Sequence, residues 1–259
     1  MTGPDPGRWF IGQRSGQAPW SPRVFCFPFA GGSPRIFLDW QASLGEDAEI
    51  LAVCRPGREH RAAEPPLAVT ELIAGAAAAI TELTRSDGRP FYLFGHSLGA
   101  LIAFEVCRAL PGDTVPRHLI ASGCAAPPLL PSRRVRDIAQ LTGREFAEAV
   151  GFFGGLPADV IADDYMRELL LPDVIADFRM ASGYRYLPGP RLSVPATLVV
   201  GRDDPHVKAE QVAPWTGEFS WPPELRWVDG GHFYFDGRPG VATEIIAALI
   251  RADQHVELI

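Results

Sequence analysis

Pro90-Phe91-Tyr92-Leu93-Phe94 runs into Gly95-His96-Ser97-Leu98-Gly99 and on into Ala100-Leu101-Ile102-Ala103-Phe104-Glu105. The first run is continuously apolar, as a strand covered on both faces should be, and the last is rich in helix formers. Between them lies Gly-x-Ser-x-Gly, a turn so tight that its serine is projected in strained backbone angles. Gly95 and Gly99 remove side chains that would collide with the neighbouring strand and helix. Ser97 therefore stands at a helix N-terminus, where free N–H groups and the helix dipole favour negative charge developing on a substrate, and the N–H of Leu98 is the natural first donor to it. The pentapeptide alone is common; its place between a strand and a helix makes it a nucleophile elbow.

A serine hydroxyl is a weak nucleophile at neutral pH and needs an imidazole base, itself oriented by a carboxylate. On an elbow of this kind the chain order is serine, acid, histidine. Six histidines are present. Of the three that follow residue 190, His255 lies in what reads as a frayed tail and His206 sits beside the candidate acids. His232 remains, in Val228-Asp229-Gly230-Gly231-His232-Phe233, where paired glycines let a loop carry an imidazole over the sheet edge. His60, His96 and His118 read as structural. The run Thr197-Leu198-Val199-Val200 ends in Gly201-Arg202-Asp203-Asp204-Pro205 at the carboxyl edge of a sheet, where catalytic groups collect. Asp204 fits the acid better than Asp203, which would face solvent or cap the turn. A second oxyanion donor should come from the loop after the first core strand, here Phe27-Pro28-Phe29-Ala30-Gly31-Gly32-Ser33. Ala30 N–H is the choice, with Phe29 and Gly31 possible.

Outward from these motifs, short apolar runs at 23–27, 50–54, 90–94, 118–122, 196–200 and 225–228 read as strands, and stretches such as 67–83 and 100–110 as helices. Their alternation implies an α/β-hydrolase fold, a mostly parallel central sheet flanked by helices. The interval at about 127–190 breaks the rhythm and reads as a helical insertion, with amphipathic segments at 135–150 and 158–171 and a break at Gly154-Gly155. Phe146, Phe152, Phe153, Leu169 and Leu170 would pack as its core rather than line a channel.

With 259 residues and 47% hydrophobic content, the chain reads as one domain over 1–259 with a large core. A net charge of -7 with scattered Lys and Arg excludes a polyanion-binding footprint, so no nucleic-acid partner is expected. The stretch 1–17 lacks the apolar core of a signal peptide, and no later run is long enough to span a membrane, so a cytoplasmic location and no membrane partner follow. Cys26, Cys54, Cys107 and Cys124 are widely spaced, which favours reduced, buried thiols and disfavours a metal site.

Together these segments resemble the type II thioesterases, the discrete editing enzymes that accompany polyketide synthases and nonribosomal peptide synthetases. Phe27-Pro28-Phe29-Ala30-Gly31-Gly32 is similar to the family's first-strand loop, Arg55-Pro56-Gly57-Arg58 to its second-strand exit, and Gly95-His96-Ser97-Leu98-Gly99-Ala100 to its elbow. The segments around Asp204 and His232 are similar to its acid and base loops. In Leu171-Pro172-Asp173-Val174-Ile175-Ala176-Asp177-Phe178, Ile175 stands where the family often has arginine. The resemblance implies a helical lid at about 127–190 over an acyl chamber. It also implies substrates delivered on the phosphopantetheine arm of an acyl or peptidyl carrier protein, and no cofactor or metal of the protein's own. Ser97, Asp204 and His232 would then hydrolyse a thioester, with a monomer as the plausible state. A general carboxylesterase acting on small oxygen esters is the alternative, and a non-catalytic binding protein of the same fold a third reading.

Overall fold

The computed structural model describes residues 5–12, 21–152, 154, 156 and 158–256. Phe153, Gly155 and, within the stretch read for a leader, 1–4 and 13–17 lie outside the described residues. Seven strands form one sheet in the order β1-β3-β2-β4-β5-β6-β7. They are β1 (Phe10–Ile11), β2 (Arg23–Phe27), β3 (Glu49–Val53), β4 (Phe91–His96), β5 (His118–Ser122), β6 (Ala196–Gly201) and β7 (Glu224–Val228). β2 to β7 run parallel, and β1 pairs antiparallel with β3. The six strands expected from the sequence are present to within two residues. β1 is new, because two residues leave no periodic signal.

The helices are α1 (Pro6–Trp9), α2 (Trp40–Leu44), α3 (Val69–Asp87), α4 (Leu98–Ala109), α5 (Arg133–Ile138), α6 (Gly143–Gly151), α7 (Ala158–Ala162), α8 (Asp164–Gly183), α9 (Ala209–Val212) and α10 (Gly240–Val256). Side chains alternate across each strand. Phe25, Phe27 and Leu93 point to the face packed by Leu72 and Ile80 of α3 and by Leu101 and Phe104 of α4. Val24, Cys26 and Phe94 point to the other, packed by Trp40 and Leu44 of α2 and by Ile245, Ile246 and Ile250 of α10. Both faces are covered, which is why the strands read as unbroken apolar runs. α3 starts where the Glu71 carboxylate accepts the Ala68 N–H and stops at Gly88, which takes a left-handed conformation and donates to the Thr84 carbonyl.

Three expectations are corrected here. His255 is not in a frayed tail but near the end of α10, its ring bonded to the Arg251 carbonyl at 2.7 Å. Among the described residues the insertion holds four α-helices rather than two. The segment at 135–150 is split by Gly143 at a φ of 53°, and the one at 158–171 becomes the short α7 followed by α8, which runs on through Pro172. Proline removes a helical hydrogen bond and crowds the preceding turn. Burial of Leu171, Val174 and Phe178 against Phe146 and Val150 outweighs that local cost. Phe146 is fully buried, as a core residue should be, whereas Phe152, Leu169 and Leu170 are exposed. Ile175 lies half-buried against the same cluster.

The four cysteines are free and buried. Among the described residues no helix is long and apolar enough to cross a membrane, and no group of His, Cys, Asp or Glu is arranged to hold a metal. After β2 the chain adds β3 on one side and β4 on the other, so the loops leaving β2 and β4 flank a crevice at the carboxyl ends of the strands.

Candidate active site

Ser97 is the residue between β4 and α4, with φ 54° and ψ -119°. A non-glycine residue in that region stores strain of about 1–3 kcal/mol and persists only where its surroundings over-determine it. Here they do. Ser97 N–H donates to the Ser122 carbonyl at 2.8 Å, extending the β4–β5 ladder into the turn, and the Ser97 carbonyl accepts from Ala100 N–H at 3.0 Å. A Cβ on Gly95 would stand 2.2 Å from the Gly99 carbonyl oxygen, and one on Gly99 2.0 Å from that of Phe27. No side chain fits at either place.

The loops after β6 and β7 are sewn together by backbone: Arg202 N–H donates to Val228 O and Asp203 N–H to Gly230 O, at 2.8 and 3.0 Å. This brings Asp204 Oδ2 to 2.8 Å from His232 Nδ1. Asp203 is exposed, while Asp204 is only 1% exposed. Asp204 Oδ1 accepts from His206 N–H at 2.7 Å and Val207 N–H at 3.2 Å. Burial alone would push this carboxyl up, but the hydrogen bond and charge of His232, with the His206 amide, hold it below its ordinary range. A carboxylate at Nδ1 fixes the proton there and leaves Nε2 as the acceptor.

The other histidines sort by surroundings. His96 is fully buried, its Nδ1 2.9 Å from Ser122 Oγ, which in turn lies 2.8 Å from Tyr234 Oη. Burial, aided by nearby His232, holds it well below the usual imidazole range, so it is neutral. Its ring packs 4.8 Å from that of His232. His206 meets His232 edge-on at 5.3 Å, and burial together with His232 brings it down to about 4. His60 and His118 bond the Arg8 carbonyl and Thr197 hydroxyl, far along the chain from these loops.

Ser97, His232 and the residues carrying both candidate oxyanion amides, Ala30 and Leu98, line one open cleft. Its wall is otherwise largely apolar, with Leu101, Val135, Val150 and Phe178 among the contributors. Gly31, one of the alternative donors, has its N–H engaged by Asp177 Oδ2 at 2.7 Å. That oxygen also accepts from Arg55 Nη2 at 2.9 Å and Arg58 Nη2 at 3.0 Å. The Arg-Pro-Gly-Arg segment thus ties the loop after β2 to α8. These partners lie 119 to 146 residues apart in sequence, beyond the reach of any local pattern. Chemically, a serine hydroxyl and an imidazole oriented by a carboxylate, lining one largely apolar cleft, are the groups that acyl transfer through a serine needs.

The family model of the thioesterase domain matches residues 22–251. The chain is 37% identical over 235 residues to the thioesterase PikA5 of Streptomyces venezuelae, covering 90% of this chain and 82% of that one. It is 30% identical to the gramicidin S biosynthesis protein GrsT of Aneurinibacillus migulanus, covering 88% of each. Among solved structures it superposes on RedJ, a thioesterase from the prodiginine biosynthetic pathway in Streptomyces coelicolor. The TM-score is 0.79 with 31% identity, over 96% of this chain and 94% of that one. Resemblance of the outlying loops, a strained serine on the elbow and a family match across nearly the whole chain converge, and the chain belongs to the thioesterase family.

Proposed function

We propose that this thioesterase removes acyl groups from the phosphopantetheine arm of acyl or peptidyl carrier proteins, editing a polyketide or nonribosomal peptide synthase. The observation that carries it is that His232, bonded to the buried Asp204, lines the same apolar cleft as Ser97. Pathway membership is supported by the biosynthetic names of GrsT and RedJ. Ser97 Oγ attacks the thioester carbonyl as His232 Nε2 takes its proton. The carbonyl oxygen, now negative, accepts hydrogen bonds from the Ala30 and Leu98 amides. The C–S bond breaks, the thiolate receives the proton from His232, and acyl-Ser97 remains. Water, deprotonated by His232, then attacks the ester carbonyl, and the acid leaves as the proton returns to Ser97.

In this reading the chain acts as one catalytic unit, α5 to α8 are the lid, the phosphopantetheine belongs to the partner, and the protein works in the cytoplasm without a cofactor of its own. Purified protein should release free acid from acyl-carrier protein, and Ser97→Ala should lose that activity by about 10^4-fold or more. Hydrolysis of small oxygen esters with no release from carriers would replace the reading with a general carboxylesterase.

A further inference from the structure

The Asp177 carboxylate plays no part in the proton transfers, yet it is 7% exposed and a single oxygen accepts three donors from two chain segments. One donor is the N–H of Gly31, the residue after Ala30. Arg55 Nη2, which Asp177 holds, also donates to the Phe29 carbonyl at 2.9 Å, on the other side of Ala30. The peptide units flanking Ala30 are therefore gripped from both sides by one buried ionic cluster. Packing repeats the pattern: Gly31 has a φ of 79°, and a Cβ there would lie 3.1 Å from a Val174 methyl, one turn of α8 before Asp177. Asp173, the residue before Val174 and one turn before Asp177, pairs with Arg58, is half exposed, and makes no hydrogen bond to residues 29–32 among the described residues.

We infer that Asp177 is a positioning residue that sets the Ala30 amide at the angle required by the oxyanion, so that seating of α8 on the sheet completes the oxyanion hole. The inference rests on the proposed role of Ala30. A donor aimed at developing charge must be placed to a fraction of an ångström. The Phe29-Ala30-Gly31-Gly32 loop closes its own turn with one backbone bond, Gly32 N–H to the Phe29 carbonyl at 3.0 Å, and Asp177 adds the anchor from the insertion. The carboxylate is needed rather than any acceptor, because two buried guanidinium groups converge on it.

The test compares Asp177→Asn, Asp177→Glu and Asp173→Asn in the full chain, on whichever acyl thioester the unaltered enzyme hydrolyses. Each is also titrated with an acyl trifluoromethyl ketone. Its carbonyl carbon bonds Ser97 Oγ while the carbonyl π electrons become an oxyanion and the hydroxyl proton passes to His232. Asp177→Asn should lower kcat roughly 10- to 100-fold with KM within about twofold, and weaken the ketone in proportion to the loss in kcat/KM. Asp173→Asn should stay within about twofold of the parent in both. If Asp177→Asn does not fold, Asp177→Glu, which keeps the charge and displaces it by one methylene, should show the same split. Parental kcat in a folded Asp177 variant, or equal losses in the Asp173 and Asp177 variants, would overturn the inference. An unaltered enzyme inert to both thioesters and the ketone would instead overturn the functional reading itself.

Discussion

The loops that carry Ser97, Asp204 and His232 and the insertion that covers them are built on opposite principles. Each loop leaves a parallel strand, fully buried for β4 and β6 and partly exposed for β7, and keeps bonding as it turns: Ser97 to Ser122, Asp203 to Gly230, Asp204 to two amides beyond it. The insertion has a small core of its own around Phe146 and Phe178 and leaves Tyr165 and Leu169 72% and 62% exposed. The difference teaches where accuracy resides. In the proposed reading, proton transfer, which demands fixed distances, falls to the loops on the sheet, and contact with the acyl group falls in part to the more loosely packed insertion.

The most forceful way to break that comparison is at the acid. Asp204→Asn should lower kcat by about 10^3- to 10^4-fold without loss of fold, because the imidazole loses its tautomer rather than its place. Asp203→Asn should remain within a few-fold of the parent, and steady-state kinetics on one thioester measures both. Comparable losses would mean that the sheet edge is less discriminating than its geometry.

A second experiment targets the insertion. Phe146→Ala should cost about 3–5 kcal/mol within that small core. Hydrogen exchange should then rise across 133–183 while β2 to β6 stay protected. Uniform loss of protection would show that the two regions melt as one.

The smallest effect lies at the seam. His96 and His206 are neutral in the fold, held below the ordinary imidazole value of 6.5, His206 at about 4. The unfolded chain binds protons first as pH falls. Their contribution to stability is therefore complete above about 6.5 and is lost progressively below it, for His206 down to about 4. Urea unfolding at pH 7 and pH 5 should show the drop, and His206→Gln should lessen it. An unchanged slope would place the titration elsewhere.

What the sequence disclosed follows the same division. The elbow, the six core strands and the Asp204–His232 contact were legible because continuous apolar runs, paired glycines and strand-end loops are local signals. The helical character of the insertion was legible too, but its division into four helices was not: α8 passes through Pro172 on the strength of packing that no local rule contains. Nor was the part played by Arg55, Arg58 and Asp177, whose charges meet only after the chain has folded. The pentapeptide around Ser97 is common by itself, and the loop that carries Ala30 is bonded through Gly31 N–H to Asp177, 146 positions away.

Finally, α10 closes the second face of the sheet with Ile245, Ile246 and Ile250, and Asp253 receives the Tyr92 hydroxyl from the strand that bears the elbow. It is synthesised after every loop of the site. A nascent chain on the ribosome thus holds Ser97, Asp204 and His232 before α10 covers that face of the sheet, so the proposed site waits on a helix that comes after it in the chain. A stop codon near residue 240 would spare every residue of the proposed chemistry and still yield an aggregating, inactive product.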